Sequence, residues 1–505
     1  MIKLIYRIES DYMSKKRMLI VTSVTLSVVT ISLGIVKLYQ TYALSNYIGT
    51  VTDTGIDVYI NDDSYASIPA NGSSNVYYML TNTNPGTVKY GVAYQTTSGV
   101  TVKVYDTSED PATGTIEEND KKYIKLHLEN KNSTNKTIEL STVLGYENGG
   151  DLVVPSGVTL VTDTYTPPPT AAEYITKLYT TASKTTVTNN SITYNTAPSV
   201  SLMNDRLGGT TTDLDGGNIR YYGASPNNYI YFNCSDYSNQ TSSTCETWRI
   251  IGVFNGKLKI IRGSQIGTYS WDNKDTSTGA ESNFGKNDWT TARLMKLLNP
   301  SDYYTTDSND NNLGQGLYYN SASGKCYSGQ NNATVDCNFT STGIKNDITR
   351  NMIAETTYNL GGWNTNKIYS NQIYEYERGT TVYTGRPTTP WTGKIALAYP
   401  SDYGYAADLN QCKDKILKDY DNSTCTSNNW MKAIITNNGS SLGWLLTPHS
   451  SYSDSVWSVY SSGYVIYRSA YNVIGVVPVL SLSSKLGIEP GSGDGSSSNP
   501  YKLSA

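Results

Sequence analysis

One pentapeptide in this chain has the form of a hydrolase nucleophile. Gly439-Ser440-Ser441-Leu442-Gly443 reads G-x-S-x-G, with His449 and Asp454 a short way downstream. A serine on a strand-to-helix elbow, activated by a histidine that a carboxylate orients, would carry out acyl transfer. The flanks argue against that chemistry. Ile434 and Ile435 offer a preceding strand, but Trp444-Leu445-Leu446-Thr447-Pro448 reads as a second strand where a helix is required. The motif is therefore expected to be a turn, and no catalytic residue is assigned. Metal chemistry finds no better footing. The only histidines, His127 and His449, lie far apart, and no CxxC pair occurs, so zinc is not expected. Asp307-Ser308-Asn309-Asp310-Asn311 is rich in oxygen ligands, yet Tyr318 stands where an EF-hand loop carries its bidentate glutamate. No metal and no cofactor are expected.

Recognition is the chemistry the residues do suggest. Between His449 and Asn472 the chain places Tyr452, Trp457, Tyr460, Tyr464, Tyr467, Arg468 and Tyr471 among serines and glycines in hairpin-like strands. Such a mixture resembles an antibody combining surface, where aromatic rings give contact area at low entropic cost. Ring faces stack on sugars or peptides, and Arg468 can fork onto a carboxylate. Strand side chains alternate between core and solvent, so a share of these rings is expected to fill a sheet face instead.

The six cysteines fall as three local pairs, Cys234 with Cys245, Cys326 with Cys337, and Cys412 with Cys425, each bracketing a polar loop. Short-loop disulfides are the expected state, each worth up to ~3 kcal/mol through chain entropy. Six cysteines allow fifteen pairings, so locality is a preference among them, and reduced, packed thiols are the competing state. An oxidising compartment agrees with the N-terminus. Leu19 to Val36 carry no charge, and with Met18 and Lys37 they approach the ~30 Å hydrocarbon core as a helix. Lys3, Arg7, Lys15, Lys16 and Arg17 precede the run and only Lys37 follows closely, which orients the rest of the chain outward. A cleaved signal peptide competes, since Thr41 and Ala43 are small residues at cleavage spacing, but the apolar run is longer than such segments usually are.

The expected organisation is a cytoplasmic segment over residues 1–17, a single transmembrane helix over 18–39, an all-β immunoglobulin-like sandwich over 46–165, a proline-rich linker over 166–170 and an α+β extracellular domain over 171–505. Alternation in Ile56, Val58 and Ile60, in Val88, Val92 and Tyr94, and in Ile124, Leu126 and Leu128 supports the sandwich, with turns at Asn84-Pro85-Gly86 and Asn148-Gly149-Gly150. His127 alternates onto the polar face of its strand and is expected to be solvated. After Pro167-Pro168-Pro169, Thr170 and Glu173 form a capping box for a helix through Leu178. Every Trp and Phe lies beyond this point, so the aromatic core belongs to the second domain. There, strands are expected at Trp248 to Phe254 and Leu258 to Ile261, a helix from Asp288 to Leu298 ended by Asn299-Pro300, and another from Asp347 to Tyr358. Strands recur around Val456, Val465 and Val479.

Composition limits the partners. A formal charge of −4 over 505 residues offers no basic footprint, so nucleic acid is not an expected partner. Tyr is used 44 times against 4 for Phe, which suits wettable contact surfaces, although AT-rich codon usage explains the same bias.

The segments Arg220 to Asn233, Trp248 to Arg262, Asn287 to Pro300, Gly324 to Gly343, Ala396 to Ala406, Trp444 to Ser451, Val473 to Ser484 and Gly491 to Leu503 resemble uncharacterised membrane-anchored surface proteins of low-GC gut bacteria. More distantly, the order of a WR(I/V)-(I/L)-G strand, a W…LN helix, a W-x-L-x-(S/T)-P strand and a G-x-x-P-(V/A)-L strand is similar to C-type-lectin-like domains of the sulfatase-modifying-factor type. That resemblance implies a scaffold whose exposed loops bind ligands or, in a few branches, host chemistry. Val477 stands where the family usually carries Arg, so any role of that Arg is not carried over. The copper-dependent oxidation of sulfatase modifiers needs a free cysteine pair, and all six cysteines here look committed to loops. The EPN and WND signatures of calcium-dependent lectins are missing where they belong; Trp271-Asp272-Asn273 falls in the wrong half. The expected function is cell-surface adhesion or recognition of a glycan or protein ligand, without catalysis. A secreted hydrolase or other enzyme on the same scaffold, and a structural envelope protein, are the alternatives.

Overall fold

The computed structural model describes residues 44–504, apart from 53–54, 58–64, 83–85, 146–151, 153, 207–216, 306–312, 389, 440 and 490. The expected cytoplasmic segment, the apolar span over 18–39, the cleavage-like Thr41 and Ala43, the turn at Asn148 and the oxygen-rich loop at Asp307 to Asn311 lie outside the described residues. So do Asn84 and Pro85 of the other turn. Among the described residues no helix is long and apolar enough to cross a membrane. The chain is β-rich and divides into two compact units, Met1–Pro167 and Pro168–Ala505.

The first unit is built from two sheets whose inner faces share one core. One sheet runs, in spatial order, Thr164–Tyr165, Val100–Tyr105, Lys121–Asn130, Gly72–Asn82, Leu44–Thr52 and Gly55–Asp57. The other runs Val158–Leu160, Val88–Gln95, Lys136–Gly145 and Tyr65–Ile68, with Thr113–Ile116 added on Val88–Gln95. Ile124, Leu126 and Leu128 from the first sheet meet Val92, Ile138 and Leu140 from the second, all with no exposed surface. Burying each such side chain contributes about 1.5–3 kcal/mol, and the period of two is what aims every second residue inward.

His127 departs from its expected solvated state. It does point away from Ile124, Leu126 and Leu128, but it is only 5% exposed. The short parallel strand Thr164–Tyr165 covers it: the Tyr165 ring stacks on the imidazole at 3.6 Å, and Tyr105 meets it edge-on at 6.2 Å. Its Nδ1 lies 2.7 Å from Asn75 Oδ1, and its Nε2 lies 3.4 Å from Glu129. Burial lowers the His127 pKa, against the pull of Glu129.

In the second unit, the helix Ala171–Thr181 begins with the expected capping box, Thr170 accepting from the Glu173 amide at 3.2 Å and Glu173 from the Thr170 amide at 2.8 Å. It packs Ile175 and Tyr179 into the main core. A nine-stranded sheet is centred on Glu246–Phe254 and Lys257–Arg262, close to the expected strands. Its order is Thr185–Asn189, Ile192–Ala197, Leu202–Asn204, Ile219–Tyr221, Glu246–Phe254, Lys257–Arg262, Val479–Ser481 and Ile395–Ala396, with Tyr229–Phe232 on the free flank of Glu246–Phe254. The pairing register slips between Ile250 and Gly252, where a β-carbon at position 252 would fall 2.0 Å from the Ile219 carbonyl oxygen. Only glycine lets the bulged strand run this close to its neighbour.

Two expected helices are corrected. The stretch from Asp288 splits into a 3-10 turn, Trp289–Thr291, and the helix Arg293–Leu298, because Asp288 accepts from the Thr290 amide at 3.1 Å and Ala292 is extended between them. The Asp347 helix ends at Met352; Thr356–Tyr358 is a strand paired with Trp391–Gly393. The β-branched Thr356 and Thr357 favour that tertiary pairing over another helical turn. Ile434 and Ile435 sit in the helix Trp430–Ile435.

The cysteines pair as the local reading expected: Cys234–Cys245, Cys326–Cys337 and Cys412–Cys425, with sequence separations of 11, 11 and 13.

Candidate functional site

The aromatic stretch folds onto a five-stranded sheet of order Gly267–Tyr269, Ile474–Val476, Gly443–Pro448, Ser455–Val459 and Val465–Ser469. Ser455–Val459 and Val465–Ser469 form its terminal hairpin, with Trp457 opposite Tyr467 and Val456 opposite Arg468. Alternation therefore sets the contact residues within the hairpin strands, Trp457, Tyr467 and Arg468, on two faces. Tyr467 stands on one face with Trp457, and Tyr452 from the preceding loop joins them at 5.4 Å from the Tyr467 ring. Arg468 belongs to the other face, its guanidinium 5.6 Å from the Tyr460 ring, and Tyr460 stacks on Tyr464 at 5.0 Å. Tyr471 leaves the hairpin altogether and packs at 5.3 Å on the exposed Phe284. The structure thus brings the seven into three groups instead of one surface.

Within the first group, exposure separates roles. Tyr452 is 49% exposed and Tyr467 40%, whereas Trp457 is 2% exposed and offers no face to solvent. Trp457 lies instead beneath the tyrosines beside His449, whose ring is 4.6 Å from Tyr452, 4.6 Å from Tyr467 and 5.2 Å from Trp457. Burial pushes the His449 pKa down to about 4, with the Asn364 backbone and Asp454 acting the other way. At neutral pH its ring is uncharged, and its Nδ1 accepts from the Ser451 amide at 3.1 Å.

The loop that carries Tyr452 is clamped from below. The Asn287 side-chain amide lies 2.9, 2.7 and 2.9 Å from the carbonyls of His449, Tyr452 and Ser455. Arg386 donates to Asn287 Oδ1 at 3.0 Å and to the Ser453 carbonyl at 2.7 Å, and pairs with Glu281 at 2.7 Å. Neither Asn287 nor Arg386 stood out in the sequence; a lone Asn before a helix and a lone Arg after a glycine carry no periodic signal.

Ser441 follows the 3-10 turn Asn437–Gly439, not a strand, and its hydroxyl donates to Gln265 Oε1 at 3.2 Å while accepting from Gln265 Nε2 at 3.1 Å. Among the described residues its hydroxyl meets no histidine or carboxylate that could take its proton. Among the described residues no group of three or more His, Cys, Asp or Glu side chains is disposed to hold a metal ion.

No protein-family model matches this chain, and neither does any curated protein.

A second polar constellation lies in the interior. Arg220 from Ile219–Tyr221 bonds Asp205 and, at 2.9 Å, Asp402; Lys259 from Lys257–Arg262 also bonds Asp402. Burial alone would raise the Asp402 pKa, but Lys259 and Arg220 outweigh it and hold the carboxyl below its ordinary value. All four side chains are sealed from solvent, two anions against two cations, ringed by Phe254, Tyr374, Tyr399 and Tyr405. Their place is to join the sheet to the helix Pro400–Tyr405. The signal was present as charges inside apolar runs, in Ile-Arg-Tyr and Lys-Leu-Lys-Ile-Ile-Arg.

Proposed function

We propose that this is a surface protein anchored by the apolar span over 18–39, with both units outside the cell. On this reading the first unit is an immunoglobulin-like sandwich and the second a C-type-lectin-like recognition domain for a glycan. The observation that carries it is the pair of half-exposed tyrosines, Tyr452 on a clamped loop and Tyr467 on a hairpin strand, set over a buried His449–Trp457 base. Rings that are fixed before the ligand arrives lose little entropy on binding, and their faces suit the C–H faces of sugar rings. Three disulfides are in keeping with an oxidising exterior.

The test is a glycan array probed with the full chain and with the double variant Tyr452→Ala/Tyr467→Ala. Binding by the native chain that the variant loses, at an unchanged melting temperature, supports the reading; equal binding by both overturns the assignment to these rings. Protease shaving of intact cells tests the location, since a body left undigested would refute the outward orientation.

A further inference from the structure

Away from the tyrosine pair, a cleft of about 560 Å³ opens between the strands Glu246–Phe254 and Lys257–Arg262 and the helix Trp430–Ile435. Its size lies within the on-the-order-of 300–1,000 Å³ typical of small-molecule sites. Two arginines line it, and they differ in one respect. Arg262 is neutralised: its Nε and Nη2 meet the Glu246 carboxylate at 3.0 and 3.2 Å, and its Nη1 donates to Ser264 and to the Gln265 carbonyl. Arg249 is 6% exposed, yet among the described residues no carboxylate comes within ion-pair reach of it. Its Nε donates to Asn228 Oδ1 and its Nη2 to the Pro226 carbonyl at 3.2 Å. Its guanidinium is stacked between Tyr229 at 3.7 Å and Trp430 at 4.9 Å. Burial lowers its pKa to about 10, so it remains a cation at neutral pH.

A buried cation that meets only dipoles and ring faces is costly, and an anion brought to it in a partly dry cleft gains a charge-assisted, fork-shaped contact. Beside the arginines, Ser242, Thr247, Ser264, Asn437 and Asn438 offer hydrogen-bonding groups, while Trp430, Ala433 and Ile434 form an apolar wall. The polar groups suit hydroxyls, and the apolar wall suits the C–H face of a sugar ring. We infer that this cleft is a second binding site, taking a carboxylate-bearing saccharide whose carboxylate sits on Arg249 and whose hydroxyls meet the Ser and Asn groups of the rim.

The experiment is equilibrium binding of glucuronate, N-acetylneuraminate, glucose and acetate to the full chain, by calorimetry or saturation-transfer NMR. Expected are binding of at least one acidic sugar, none of glucose, and acetate acting only as a far weaker competitor. Arg249→Gln should abolish the signal, and Arg249→Lys should weaken it by about tenfold through loss of the forked geometry. Ala433→Trp, at an exposed position of the lining, should block the cleft without touching Arg249 or the core. Tyr452→Ala/Tyr467→Ala should leave this binding intact, which separates the site from the tyrosine pair. Failure of both acidic sugars to bind, equal binding of glucose, or full binding by Arg249→Gln and Ala433→Trp would each overturn the inference. Acetate competing as strongly as the sugars would overturn the saccharide assignment.

Discussion

The uncharged His449 under the tyrosine pair makes a quantitative demand on stability. Its pKa is about 4 in the folded chain, against about 6.5 when unfolded. As pH falls, the unfolded chain takes the proton first, so this part of the stability is intact above about pH 6.5 and is lost progressively down to about pH 4. The full difference amounts to about 3 kcal/mol, of which about 2 kcal/mol is lost between pH 7 and about pH 4.5. Glu377 runs the other way. Burial raises its pKa to about 7, against Arg378 and the Ser401 bonds. Its protonated form is favoured in the folded chain, and over the same interval it adds about as much stability as His449 removes. Glu377 therefore offsets His449 over this interval, and the variant His449→Phe should remove one side of that balance. Relative to the native chain, it should gain about 2 kcal/mol on going from pH 7 to about pH 4.5. Urea unfolding followed by tryptophan fluorescence measures this, because every Trp lies in the second unit and so reports on it. A difference between native and variant that stays constant to within ~0.5 kcal/mol across that range would refute the account of a buried, neutral imidazole.

Asp402→Ala should cost about 3–5 kcal/mol, since it leaves Lys259 without its anion and Arg220 with only Asp205; a loss below ~1 kcal/mol in denaturant unfolding would contradict the sealed network. Trp457→Ala should cost about 3–5 kcal/mol as a buried base residue, whereas Tyr452→Ala should cost far less, a contrast that thermal melting of the two variants reads directly. In the first unit, Tyr165→Ala uncovers His127, and the His127 pKa should move up toward its ordinary value in an NMR titration; no movement would show that the stacked ring is not what keeps it dry. Alkylation of the unfolded, unreduced chain should label no cysteine, because all six are paired.

How far the sequence could be read depended on whether a signal was local. The Thr170–Glu173 box, the Trp248 and Leu258 strands and the three cysteine pairs rest on spacing within a dozen or so residues, and they stand where that spacing put them. His127 shows the limit of a period: alternation assigned its face correctly, but the cover came from Tyr165, which local pattern does not bring near. The same holds for the aromatic stretch. Composition marked Tyr452 to Tyr471 as unusual, yet only the register of Trp457 against Tyr467 decides which rings share a face. Thr356 and Thr357 left a helical pattern because a distant strand claimed them. Arg249 was visible only as a charge in an apolar run; that it lacks an anion is a fact of three dimensions.

The grip of Asn287 and Arg386 on the Tyr452 loop acts on carbonyl oxygens, which every residue type supplies alike. Positions 450 to 454 can then exchange their side chains while the track of the main chain holds. A loop held this way is free to change the surface it presents by point substitution alone, much as a tool holder accepts new bits without being recast.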